Sequence, residues 1–292
     1  MVTTLAVLVG MAYFVVALFM FVLNGLLLLT LLRNKEFSSS SYRICKSICI
    51  ACMAQLLVLG LAGIMTMAQS TFHYYIDRVL GIILQSTWYH YIALNFTLAV
   101  DRLLIFMCPR SFDISKITYV FLGLSYLIWI SIAVLMSFPG FGETYERNGE
   151  FFAWCYSKGD GSRILSTIEP YYDLITDGVV LAIYLVVTGS LVKLKKSSTQ
   201  SASFKTEIRI LVVSVVSFLC ETLTLAAAFW GPLNKSDRIT LIIINMLWIV
   251  ICGMFATLTL VVNGALRRRM VDVLVRKNNS VAVITMPNHV FE

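Results

Sequence analysis

The stretch Leu98-Ala99-Val100-Asp101-Arg102-Leu103-Leu104-Ile105-Phe106-Met107-Cys108-Pro109 sets an acid and a base side by side in an otherwise apolar run. What that pair means depends on its surroundings. Apolar sequence extends on both sides, from 79 to 107. A helix rises ~1.5 Å per residue, so about 20 apolar residues cross a hydrocarbon core ~30 Å thick. A charge at the middle of such a span costs about 2.5–3.5 kcal/mol on insertion scales, and less near an interface that a long side chain can reach. Asp101 and Arg102 lie two thirds of the way along. They read either as a helix end whose charges reach the headgroups or as a pair retained for a task.

Six further runs have the same character, at 5–32, 44–68, 117–138, 170–192, 208–230 and 239–262. The whole chain of 292 residues is 59% hydrophobic and 13% charged, against roughly 45–50% apolar and about 25% charged in soluble domains. That composition excludes a soluble globular enzyme and general disorder. The first run has no basic leader and is too long for a signal-peptide core, so it reads as a retained span. The expected fold is an all-α membrane protein, a seven-transmembrane helix bundle. Cys45, Cys49, Cys52, Cys220 and Cys252 sit inside apolar runs and read as small buried hydrophobes. No zinc or nucleotide motif occurs, and His73, His90 and His289 are remote from one another, so neither a metal nor a cofactor is expected.

Seventeen lysines and arginines, including Arg33, Lys116, Lys193 and Arg267 to Arg269, fall on one side of the spans, and six, such as Arg78 and Lys235, fall on the other. The positive-inside rule therefore places the N-terminus outside and the C-terminus in the cytoplasm. The net charge of +7 then faces anionic inner-leaflet lipid and predicts no nucleic-acid partner. Residues 264–277 alternate Leu266, Met270, Val271 and Leu274 with Arg267 to Arg269, Arg276 and Lys277, the pattern of a short amphipathic helix lying on the inner surface. The domain reading is a seven-helix domain over 1–277, including the membrane-surface helix 264–277, and a disordered cytoplasmic tail over 278–292. The longest outer loop, 139–169, combines Glu143, Glu146, Glu150, Asp160 and Glu169 with Phe151, Phe152 and Trp154, a composition suited to capping a pocket.

Asp101, Arg102 and Pro109, seven residues after the arginine, together with Trp129 and Pro139, resemble the rhodopsin-like seven-helix G-protein-coupled receptors. In that family the third helix ends in Asp-Arg-Tyr; here Leu103 replaces the tyrosine. Asn24-Gly25 in the first span, Tyr184 in the fifth and Asn263-Gly264-Ala265-Leu266-Arg267 after the seventh extend the resemblance over most of 10–275. Departures are also visible. The seventh span has Phe255-Ala256-Thr257-Leu258-Thr259 and no Asn-Pro-x-x-Tyr, and the sixth has Leu219-Cys220-Glu221-Thr222 and no Cys-Trp-x-Pro. The second span has Cys52 or Ala54 near the place of the family's acid. Asp77 stands where the family's disulfide cysteine would, so the sequence offers Cys155 no obvious disulfide. The short N-terminus and the wording Ala-Val-Asp-Arg-Leu are most similar to the nematode serpentine chemoreceptors, near class X.

The resemblance implies a chemosensory, olfactory type of receptor in the plasma membrane, in sensory cilia of neurons, that detects a small-molecule cue. It implies signal transduction to a heterotrimeric G protein through opening of the cytoplasmic face, and no enzyme activity. Arg102 would then be a switch residue, held by Asp101 and by Glu207 at the base of the sixth span, although Glu207 can equally pair with its basic neighbours. Pro109 and Tyr184 would belong to the same coupling end. The family's pocket depth falls on Leu84, Gln85, Trp88 and Tyr89. Leu84 replaces the aspartate that amine receptors use, so an amine held at that position is disfavoured. Gln85, Trp88 and Tyr89 share a helical face and suit either ligand contact or packing between helices. Asp173 and Asp177, one turn apart in the fifth span, and Glu221 in the sixth are intramembrane acids and so functional candidates. Asp177 and Glu221 are favoured for ligand contact, while Asp173 is expected at the solvated rim, where Arg163 or Arg238 could pair with it. The alternative function is a small membrane transporter or channel using Asp173, Asp177 and Glu221, against which stands the lack of Gly/Pro-broken helices. An intramembrane enzyme would have only Asp177 and Glu221 as facing acids, in no recognisable motif.

Overall fold

Within hydrocarbon every backbone N–H and C=O must be satisfied inside its own segment, so apolar runs of this length fold as helices. The computed structural model describes residues 4–107, 113–148, 151–195, 202–229 and 238–283. In order, the chain forms α1 (Thr4–Arg33), a single 3-10 turn (Lys35–Phe37), α2 (Ser40–Ala68), α3 (Tyr74–Met107) and α4 (Ile114–Ser137). A hairpin of β1 (Glu143–Asn148) and β2 (Phe151–Tyr156) follows, then α5 (Asp160–Lys195), α6 (Ala202–Phe229), α7 (Arg238–Val262) and α8 (Gly264–Val283). Among the described residues, seven helices, α1 to α7, are long and apolar enough to cross a membrane. The chain is a multi-pass membrane protein built as a seven-helix bundle.

Several helices outrun the apolar stretches that identify them. Helix α5 begins at Asp160, ten residues before the expected span, and so carries Pro170 inside it. Asp160 in its first turn sits at the favourable, positive end of the helix dipole. The extra turns are polar, which is why hydropathy alone starts the span at 170. Helix α8 runs to Val283, where the amphipathic pattern suggests an end at 277 and a disordered segment from 278; residues 284–292 lie outside the described residues. The loop expected over 139–169 contains the hairpin, with Glu143 opposite Tyr156 and Asn148 opposite Phe151.

Helices α2 and α3 form the centre of the bundle, whereas α4 buries only Thr118, Ser125 and Met136. Helix α1 lies close against α2 because both are glycine at the crossing: a Cβ at Gly10 would stand 2.6 Å from the Gly63 carbonyl oxygen, and one at Gly63 2.7 Å from that of Gly10. Small residues at such crossings let helix backbones approach where lipid supplies no hydrophobic drive for association. Asn24, buried in α1, donates to the Cys252 carbonyl of α7 at 3.2 Å. The hairpin covers one end of the bundle. Its backbone at Glu143 lies directly on Gly81 of α3, where any side chain would collide, and the Asp77 carboxylate accepts the Tyr145 N–H at 2.9 Å. At the opposite end α8 packs against α1 and α7. Leu266 of α8 is fully buried, and Arg269 forms an exposed ion pair with Glu36.

Candidate functional site

Helix α3 runs the length of the molecule and presents a different site at each end. At the hairpin end, α3, β1, β2, α5, α6 and α7 enclose a cavity of about 350 Å³, within the range of small-molecule pockets. Gln85 and Trp88 of α3, Trp154 of β2 and Trp248 of α7 line it, with Glu143 and Glu169. Gln85 Nε2 donates to Glu169 Oε1 at 2.8 Å and to the Tyr156 hydroxyl, and that hydroxyl donates to Glu169 Oε2 at 2.8 Å. Trp248 Nε1 donates to Gln55 Oε1 at 2.9 Å, and Trp248 meets Trp88 edge to face at 5.6 Å. Asn245 donates to the Phe152 carbonyl at 3.2 Å, fixing the roof to α7. Glu143 is buried, and burial first, then the neighbouring carboxylates of Glu169 and Asp77, push its carboxyl well above the ordinary glutamate range.

Beneath the cavity a layer of polar groups links the helices. Tyr89 is not part of the cavity lining and packs on Tyr172 of α5 at 5.1 Å. Asp173 is 1% exposed, not solvated at the rim as its position in the sequence suggests, because α5 continues beyond it by more than three turns. Its Oδ2 accepts Trp88 Nε1 at 3.4 Å. Asp177 accepts the Thr222 hydroxyl at 2.9 Å, joining α5 to α6. Glu221 accepts Tyr91 Oη at 3.1 Å and Asn95 Nδ2 at 2.9 Å, joining α6 to α3. Asp177 and Glu221 lie outside the cavity lining.

At the α8 end, Arg102 and Asp101 are fully buried and in contact, Nη2 to Oδ2 at 2.6 Å. Asp101 also accepts Ser40 at 3.0 Å and Ser41 at 2.7 Å, both from the first turn of α2, and Thr118 of α4 at 2.9 Å. Arg102 donates to Ser41 as well. A buried ion pair is more tolerable when further hydrogen bonds satisfy its remaining atoms, and three hydroxyls do so for the Asp101 carboxylate. Tyr184 of α5 lies on the α3–α5–α6 side of the pair, in a small apolar cluster with Ala99, Leu211 and Phe218, its hydroxyl bonded to Ser214. Glu207 belongs to α6, but its side chain and Pro109 lie outside the described residues.

The structure therefore brings Gln85 and Trp88 to one cavity, Asp101, Arg102 and Tyr184 to the opposite end, and Tyr89, Asp177 and Glu221 to the layer between. Sequence reasoning did not single out Glu143, Glu169 and Tyr156 as one group. The acid content of the 139–169 loop was their signal. Trp248, inside a uniformly apolar span, gave none.

The sequence profile of the serpentine type 7TM GPCR chemoreceptor Srt family matches residues 2–283. No curated protein matches the chain. Among solved structures, squid rhodopsin superposes with a TM-score of 0.74 at 14% identity, covering 92% of this chain and 85% of that one. At that identity the similarity concerns the fold.

Proposed function

Since the chain belongs to the Srt family of serpentine seven-transmembrane chemoreceptors, we propose that it detects a small-molecule cue in the cavity beneath the hairpin and signals to a heterotrimeric G protein. In this reading the N-terminus and hairpin face outside, α8 lies on the inner leaflet, and the protein works in the plasma membrane of a sensory cell, its cilium included. Lysine and arginine bias supports that orientation. It is a receptor and not an enzyme.

The observation that carries the reading is a cavity at one end of α3 and a buried ion pair at the other, with interhelical hydrogen bonds between them. A cue contacts Gln85 and Trp88. Through Trp88, Asp173 senses its position, and Asp177, Glu221 and Tyr89 transmit the change as altered ties among α3, α5 and α6. Outward movement of α6 at the α8 end then uncovers Arg102 beside Asp101 and Tyr184 for the G protein, and the family resemblance alone assigns Glu207 and Pro109 to the same coupling end. A cue drives this only if it binds the open arrangement more tightly than the closed one. The transporter reading is not favoured: α5 and α6 are each continuous, without the broken segments of midplane ion sites.

A G-protein dissociation assay in cells, run across a panel of small volatile and water-soluble cues, tests the proposal. A cue-dependent signal is expected in the wild type and is abolished in Arg102→Ala at equal surface level. A response untouched by that substitution removes Arg102 from the switch, and ion currents without G-protein dissociation overturn the receptor reading.

A further inference from the structure

Glu143 is 5% exposed, and its Oε2 has no hydrogen-bond partner among the described residues. Leaving a buried carboxylate oxygen unmet costs far more than leaving a neutral group unmet. Glu143 belongs to the cavity lining, and Glu169 lines the same cavity. The charged neighbours that influence Glu143 most are themselves acids, Glu169 and Asp77. No ion pair to Glu143 occurs among the described residues. The rest of the wall is aromatic and aliphatic: Trp88, Trp154, Trp248, Leu225 and Ile244. Faces of tryptophan attract cations within about 6 Å.

We propose that the cavity is selective for a protonated organic amine, whose ammonium group lies between Glu143 and Glu169 and whose hydrocarbon part lies among Trp88, Trp154 and Trp248. This deepens the receptor reading and rests on it only for the signal, not for binding. The absence of an acid at Leu84 does not count against an amine here, since the counter-charge comes from β1 and α5 and not from that turn of α3. A bare metal ion fits less well. Among the described residues no group of three His, Cys, Asp or Glu side chains is placed to hold one, and the tryptophan walls give it no ligands.

The test uses the full chain purified in lipid nanodiscs, with phenethylamine and short alkylamines as probes and the matching alcohols as neutral controls. Because a ligand that binds only the folded state raises its melting temperature with concentration, amines should raise the melting temperature at concentrations where the alcohols do not. Glu143→Gln should weaken the effect by about ten- to a hundred-fold in amine concentration, the range expected for a hydrogen bond to a charged group. Since that substitution replaces a buried carboxyl that has an unmet oxygen by a neutral group of the same shape, the ligand-free protein should melt no lower than the wild type. Trp154→Phe supplies a second variant, which should weaken amine binding while leaving the acids in place. Equal stabilisation by amines and alcohols, an amine effect unchanged in Glu143→Gln, or no amine effect at all overturns the proposal. The same cues applied in the G-protein assay separate the two readings. Neutral cues that signal while no amine binds would sink the amine inference and leave the receptor standing. Amines that bind without G-protein dissociation would do the reverse.

Discussion

Asp77 shows how much one side chain can organise. Its carboxylate takes the Tyr145 N–H at the point where the Glu143 backbone rests on Gly81, so a single acceptor anchors β1 to α3. Asp77→Ala leaves that buried N–H unmet and should cost about 1–3 kcal/mol, read as a lower melting temperature and faster amide exchange over 143–156. Asp77→Asn retains an acceptor oxygen and should lose much less. In the sequence Asp77 stands out only for occupying the place of a cysteine. Its partner is a main-chain group, and no side-chain pattern announces a main-chain partner. Asp101 and Arg102 were legible by contrast, because the expense of a charged pair in an apolar helix marks them wherever the helix goes. What could not be read was the means of satisfying them, since Ser40, Ser41 and Thr118 are ordinary hydroxyl residues 17 and 60–61 positions away.

Among the elements, α1 and α2 illustrate packing by absence of side chains. Gly63→Ala forces a Cβ to 2.7 Å from the Gly10 carbonyl oxygen and 2.8 Å from the Phe14 nitrogen. Both are backbone atoms, so relief requires the helices to part. A loss of roughly 1–3 kcal/mol is expected from such overpacking, measurable by thermal unfolding in detergent. Gly123 on α4 provides the contrast: nothing lies within 4 Å of its would-be Cβ, so Gly123→Ala should be neutral or gain up to about 1 kcal/mol from helix propensity. All seven spans were evident from apolar length alone, and six of them end within six residues of expectation at either terminus. The exception is the start of α5, where three polar turns precede the apolar run and continue the helix outside the hydrophobic zone. Hydropathy measures what lies in lipid, and a helix need not stop where lipid does. The hairpin escaped notice for a related reason, since its inward residues answer to the cavity below them and not to a lipid boundary.

At the scale of the whole molecule, the buried carboxylates give stability a direction with pH. Glu143 has its carboxyl pushed up from the ordinary value of 4.5 by burial and then by Glu169 and Asp77. The folded protein therefore holds its proton to higher pH than the unfolded chain does. Wherever the folded state binds more protons, stability falls as pH rises. The contribution is fully present below about 4.5, the unfolded value, and is lost progressively from there toward the raised folded value. Melting temperature in nanodiscs should accordingly decline as pH is raised through that interval, and Glu143→Gln should flatten the decline. A wild-type profile parallel to that of Glu143→Gln would show that the carboxyl titrates in the fold as it does in the open chain.

The first strand of the cavity roof is tied to α3 by a carboxylate accepting one amide hydrogen. A fastening of that kind closes as soon as the two strands meet the helix. It requires no oxidant to set, survives reducing surroundings, and can open and reclose on the timescale of a hydrogen bond. The hold of α3 on β1 thus forms and lets go without any covalent bond being made or broken.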